Sequence, residues 1–115
     1  MHTIILVLNL VASFTSVVWA VVALVRPASL SGSSCVEPGE AFYAKMYAAR
    51  AIPFGLAAGI LPLWFEGKTV ACVLFIAALM QTADVVIAAR KKEPGMMVGA
   101  SVGAIIHVLC GLLAK

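Results

Sequence analysis

The sequence predicts an all-α membrane protein, a four-transmembrane-helix antiparallel bundle, formed as one domain over residues 1–115. Three observations predict it. Hydrophobic residues make up 63% of the chain and charged residues only 11%, whereas soluble domains are about 45–50% apolar. Mean hydropathy is +1.11. The apolar residues also fall into four blocks, 3–25, 41–64, 69–89 and 96–114, and each supplies about the 20 residues needed to cross roughly 30 Å of hydrocarbon. So little chain is left over that a soluble catalytic domain is excluded. The net charge of +3 comes from Lys and Arg flanking the blocks. It marks no nucleic-acid surface, and the expected partner is the lipid bilayer.

The first block is expected to remain as a helix rather than leave as a signal peptide. No Lys or Arg precedes it, and it is longer than the roughly 7–15 residues of a leader's apolar region. Val18-Trp19-Ala20 offers no small-x-small cleavage site. Asn9, Ser13 and Ser16 lie at i, i+4 and i+7, with Ala20 extending the line, so they share one helical face. The connector that follows, RPASLSGSSCVEPGE, is rich in Ser, Gly and Pro and reads as irregular chain. It serves as a plain link or as a cover over one mouth of the bundle.

The second block carries Arg50 about 10 Å inward from Tyr43 at 1.5 Å per residue. Tyr43 and Tyr47 fall on the Arg50 side of the helix, and Lys45 falls opposite, where its long side chain can reach the headgroups. Pro53 cannot donate to the carbonyl of Ala49, which predicts a kink just after Arg50 and a freed carbonyl beside it. Pro62 interrupts the same block. Ala51, Gly55 and Gly59 form a small-residue stripe, suited to an oligomer seam or to packing within the subunit. Phe65-Glu66-Gly67-Lys68 is a tight turn that makes the second and third blocks an antiparallel pair.

The third block holds Asp84 about 9 Å inward from Arg90, at a depth that matches Arg50. Gln81 precedes Asp84 by three positions and faces the same way, and Ala77 and Ala88 complete that face. The basic run Arg90-Lys91-Lys92 closes the block as an anchor against anionic headgroups. The fourth block repeats small residues every four positions, Gly95, Gly99, Gly103 and Gly111, with His107 in the same line. Such a stripe lets another helix come close, within the chain or in a homo-oligomer. His107 lies about 16 Å along this block, near mid-membrane.

Four crossings place both termini on one side and the first and third connectors on the other. That second side, side B, carries Arg26, Lys45, Arg90, Lys91 and Lys92, against Lys68 and Lys115 on side A. The Lys and Arg excess marks the cytoplasmic face, so both termini are expected outside, in a bacterial inner membrane.

Function is sought among the polar residues that the hydrocarbon should exclude. A charge there costs roughly 2.5–3.5 kcal/mol on insertion scales, so Arg50 and Asp84 are expected to meet, or to line a wet cavity. As a direct pair they would be structural, fixing the second helix on the third, or functional. The candidate ligand-binding residues are Tyr47, Arg50, Gln81 and Asn9, and the candidate catalytic residues are Asp84 and His107. No metal site is read, because His2 and His107 differ widely in depth, and no cofactor is implied. Cys35, Cys72 and Cys110 have no CxxC spacing; Cys72 and Cys110 lie toward one membrane face and could pair, or pack as buried thiols.

Tyr47-Ala-Ala-Arg50-Ala-Ile-Pro-Phe-Gly55-Leu, followed by a turn and a third helix ending in Asp84, resembles the small DoxX-like bacterial membrane proteins and their four-helix relatives. Their pattern has an early Arg in helix 2, a Gly about five residues on, a late acid in helix 3 and often a His in helix 4. Here those positions are Arg50, Gly55, Asp84 and His107. The resemblance covers nearly the whole chain and implies a four-helix bundle with a polar interior, but no particular activity. Helix 1 lacks the membrane-embedded Glu of small multidrug transporters, and the paired cysteines of quinone-linked thiol oxidoreductases are absent. An ion channel would call for a continuous polar stripe, whereas these polar residues cluster toward one side. Three readings stay open: a pocket for a small lipophilic ligand, a membrane-embedded isomerase, cyclase or epoxide-opening enzyme, and an accessory subunit of a larger complex.

Overall fold

The computed structural model describes residues 3–28 and 34–114. They form four helices, α1 (Thr3–Val25), α2 (Pro38–Trp64), α3 (Lys68–Lys91) and α4 (Pro94–Ala114), and no strand occurs among the described residues. All four helices are long and apolar enough to cross a membrane. The protein is therefore a small polytopic membrane protein with the expected all-α, four-helix architecture. Its long dimension is 46 Å, more than the roughly 30 Å hydrocarbon core.

The helix ends follow from local chemistry. α2 starts three residues before the expected position because Pro38 serves as its first residue, where a missing N–H costs nothing and φ is already helical. Glu40 sits in that first turn, favourably placed at the positive end of the helix dipole. The helix then runs without a break through Pro53 and Pro62. Gly67 leads into α3 at φ 109°, a left-handed value that a side chain would strain. Its N–H donates to the carbonyl of Ala114, tying the α2–α3 turn to the end of α4. At the other end of α3, Lys92 takes the left-handed conformation, φ 59° and ψ 49°. The N–H groups of Lys92 and Glu93 close on Ala89 and Ala88 at 3.2 and 3.0 Å, the double bond of a Schellman ending. Pro94 then restarts the chain. Part of the first connector, residues 29–33, lies outside the described residues, so its expected role as a cover is not placed.

Packing joins the helices as two close pairs, α3 with α4 and α1 with α2; α1 and α4 link the pairs, and of these neighbouring helices α2 and α3 touch least. The interior is made of small side chains. Ala20, Ala23, Ala48, Ala58, Ala77, Ala78 and Ala88 are buried, whereas large residues such as Leu79, Val98, Ile105 and Trp64 face outward. In lipid there is no hydrophobic gain from moving Leu inward, so close approach of small residues holds helices together. Toward side A, Val70, Ala71, Leu74, Cys110 and Ala114 form a tight cluster, flanked by Ile5 and Phe75. Cys72 is exposed and Cys110 buried, and they form no disulfide with each other.

The glycine stripes resolve into separate uses. A Cβ on Gly55 would stand 2.7 Å from a Val17 methyl, and one on Gly59 would stand 3.0 Å from the Ser13 Cβ. This stripe of α2 therefore packs against α1 inside the subunit. On α4, a Cβ on Gly111 would meet the Phe75 ring at 2.8 Å and one on Gly103 would meet the Gln81 amide at 3.2 Å, while Gly95 and Gly99 have nothing within 4 Å. Only the side-B end of that stripe is open.

Candidate intramembrane binding site

The construction of the site begins at Pro62. Lacking an N–H, Pro62 leaves the carbonyl of Ala58, four residues earlier, without its helical partner. Ala58 is buried, so that carbonyl needs a donor. Asn9 of α1 supplies one: its Nδ2 donates to the Ala58 oxygen at 2.8 Å. A carbonyl only accepts, so the Asn9 amide can point in one sense alone, with Oδ1 directed to α4. There it meets Nδ1 of His107 at 2.7 Å. Oδ1 also only accepts, so the proton of the neutral imidazole resides on Nδ1. Nε2 is left as a lone pair, and among the described residues it makes no hydrogen bond.

A second polar link runs from α3 to α1. Gln81 Nε2 donates to Ser16 Oγ at 2.9 Å, and Ser16 donates to its own helix at the Ala12 carbonyl, 3.2 Å away. Gly103 makes room for the Gln81 amide. These two links fix the floor of a cavity of about 270 Å³ to which all four helices contribute. Ser13 and Ser16 enter from α1, Tyr47, Arg50 and Gly55 from α2, Gln81 and Asp84 from α3, and His107 from α4. Most of the remaining wall is Ala, with Phe54 and Met80. The exposed lining residues are Tyr47, Arg50, Met80 and Ala83, so the mouth lies between α2 and α3, the neighbouring helices with the sparsest contact.

The cavity thus brings together five of the six sequence candidates, Tyr47, Arg50, Gln81, Asp84 and His107. Asn9 is not in the lining. It is fully buried and acts on the site through His107. Tyr43 is 70% exposed and stacks edge-on against Phe42 at 5.7 Å, away from the cavity.

Arg50 and Asp84 face the same cavity, but no ion pair within 4.0 Å joins them. Of the two expected arrangements, direct contact or a shared cavity, the structure has the second, between two helices that make few contacts with each other. The freed carbonyl that matters to the site is likewise that of Ala58, released by Pro62, rather than that of Ala49, released by Pro53. Residue spacing held that signal, because any interior proline orphans the carbonyl four positions back. Phe54, Met80 and Ala83 were not singled out in the sequence, where nothing sets them apart from ordinary apolar residues.

His2 lies outside the described residues. No group of three His, Cys, Asp or Glu suited to a metal occurs among the described residues. Compared with protein-family models, curated proteins and solved structures, the chain matches none.

Proposed function

We propose that this four-helix membrane protein binds a small, partly apolar ligand in the cavity between α2 and α3. One observation carries the reading: a void of about 270 Å³ with mostly apolar walls on which a guanidinium, a carboxyl, a phenol and an imidazole converge. Small-molecule sites have that make-up, an apolar pocket with a few placed polar groups. In this reading Arg50 orients an anionic or carbonyl group, Tyr47 adds a hydrogen bond, and Asp84 balances Arg50 or takes a proton. Kinship with the DoxX-like proteins belongs to the same proposal, and it is supported by Arg50, Gly55, Asp84 and His107 all lining the one cavity. So does the orientation, with side B cytoplasmic and both termini outside a bacterial inner membrane.

Native mass spectrometry of the protein released from its own membrane tests the binding. The wild type should carry a small adduct. Ala83→Trp, which fills the mouth from an exposed position, should remove it, and Val86→Trp on the neighbouring outer surface should retain it. An adduct that survives Ala83→Trp undiminished would place the ligand elsewhere. A catalytic reading is favoured by Asp84 and the unbonded His107 Nε2 sharing the cavity. Under it, Asp84→Asn keeps the adduct and leaves the ligand chemically unconverted.

A further inference from the structure

Ser13 breaks a local rule. In a helix, a Ser or Thr hydroxyl commonly donates to the carbonyl four residues back. Thr15, Ser16 and Thr82 all do so, at 2.8, 3.2 and 2.8 Å. Ser13 does not. Its residue is 1% exposed, and its hydroxyl is buried with no hydrogen-bond partner. A buried hydroxyl without a partner loses its hydration for no return, a cost of about 1–3 kcal/mol. Gly59 explains why Ser13 can sit so deep, since the glycine admits its Cβ at the α1–α2 contact. The contact needs no polarity there, because Ala would supply the same Cβ without a hydroxyl to bury.

His107 bonds to Asn9, which precedes Ser13 by four residues, one helical turn along the same face of α1. Both Ser13 and His107 line the cavity. One offers an unused hydroxyl that can donate, and the other an Nε2 lone pair that must accept. Both residues thus belong to one cavity lining, with the Ser13 hydroxyl buried beside Gly59 at its edge.

Building on the cavity as a ligand site, we infer that its inner end recognises a hydroxyl on a lipophilic ligand, which donates to His107 Nε2 and accepts from Ser13 Oγ. An alcohol satisfies both groups at once. An ether can satisfy only Ser13, and a hydrocarbon neither. Asn9 is the positioning residue, because its amide holds the His107 proton on Nδ1 and so presents the inner nitrogen as an acceptor. The ligand class is thus an alcohol with an apolar body, its hydroxyl directed inward and the rest of the molecule toward the mouth at Arg50 and Met80.

The test uses the full chain in lipid nanodiscs, with ¹⁵N-labelled histidine and His2→Gln so that one imidazole is observed. Two isomeric probes are added, cyclohexylmethanol, which donates and accepts, and methoxycyclohexane, which only accepts. Without probe, the ¹⁵N shifts should show the proton on Nδ1; a proton on Nε2 overturns the inference. Cyclohexylmethanol should move the Nε2 resonance and bind about tenfold more tightly than the ether, the ratio that one hydrogen bond supplies. Ser13→Ala should weaken both probes alike, leaving the alcohol's preference and the Nδ1 proton in place; unchanged binding of both overturns the Ser13 contact. Equal binding of the two probes, with Nε2 unmoved, overturns hydroxyl recognition and leaves the cavity reading standing. Binding of neither probe overturns both.

Discussion

The two ends of the Asn9 amide meet groups on different helices, Ala58 of α2 at 2.8 Å and His107 of α4 at 2.7 Å. Replacing it with Ala leaves a carbonyl and an imidazole buried without partners, at a cost of about 1–3 kcal/mol. In a double-mutant cycle with His107→Leu, the two changes should be less than additive, by about 1 kcal/mol. Reversible unfolding in mixed micelles measures this, and additive costs would mean that the bond contributes nothing. The polar faces of the single helices were readable in the sequence because helical spacing alone defines them. Asn9, Ser13 and Ala20 are buried as that spacing requires. The pairing of Asn9 with His107 was not readable. It depends on the rotation of α1 against α4, and no pattern within either helix encodes that angle.

Among the elements, glycine position separates packing from free surface. Gly59→Val and Gly111→Leu should each destabilise the bundle by about 1–3 kcal/mol, as overpacking does, because Ser13 and Phe75 occupy the space. A Cβ at Gly95 or Gly99 meets nothing within 4 Å, so Gly95→Ala and Gly99→Ala should cost no stability beyond about 0.5 kcal/mol. If those two instead lower the oligomeric state in cross-linking, the open end of the stripe is a seam between copies or with a larger partner. The sequence showed both stripes but not their partners, since a repeat of four positions suits any close helix. Helix boundaries were more legible, because length and hydropathy fix a span nearly unaided. The early start of α2 reflects Pro38, a residue that reads as a loop former until it is placed at the first turn.

For the whole molecule, the arrangement of charge predicts how it sits in the membrane. With Cys72→Ser to remove the other exposed native thiol, Cys35 should react only with reagents admitted to the cytoplasm. In a Cys35→Ser, Cys72→Ser background, Thr69→Cys should react with membrane-impermeant reagents from outside. The reverse labelling would invert the orientation. The bundle was legible at this scale, yet its division into two close pairs was not. Four similar apolar blocks carry no label for which neighbours pack tightly, and the division follows from local fits such as Gly55 on Val17 and Gly111 on Phe75.

With all four helices spanning the membrane, the sparse α2–α3 contact turns the mouth of the proposed ligand site sideways, toward lipid. A ligand entering there is drawn from the membrane, and the concentration the site experiences is the dissolved concentration multiplied by the partition coefficient. Burying one more CH₂ is worth about 0.8 kcal/mol, so each methylene added to a ligand raises its membrane level about fourfold. Apparent affinity measured against aqueous concentration will therefore climb along a homologous series even where no contact with the protein changes. Selectivity will emerge only when ligands are compared at equal amounts per lipid.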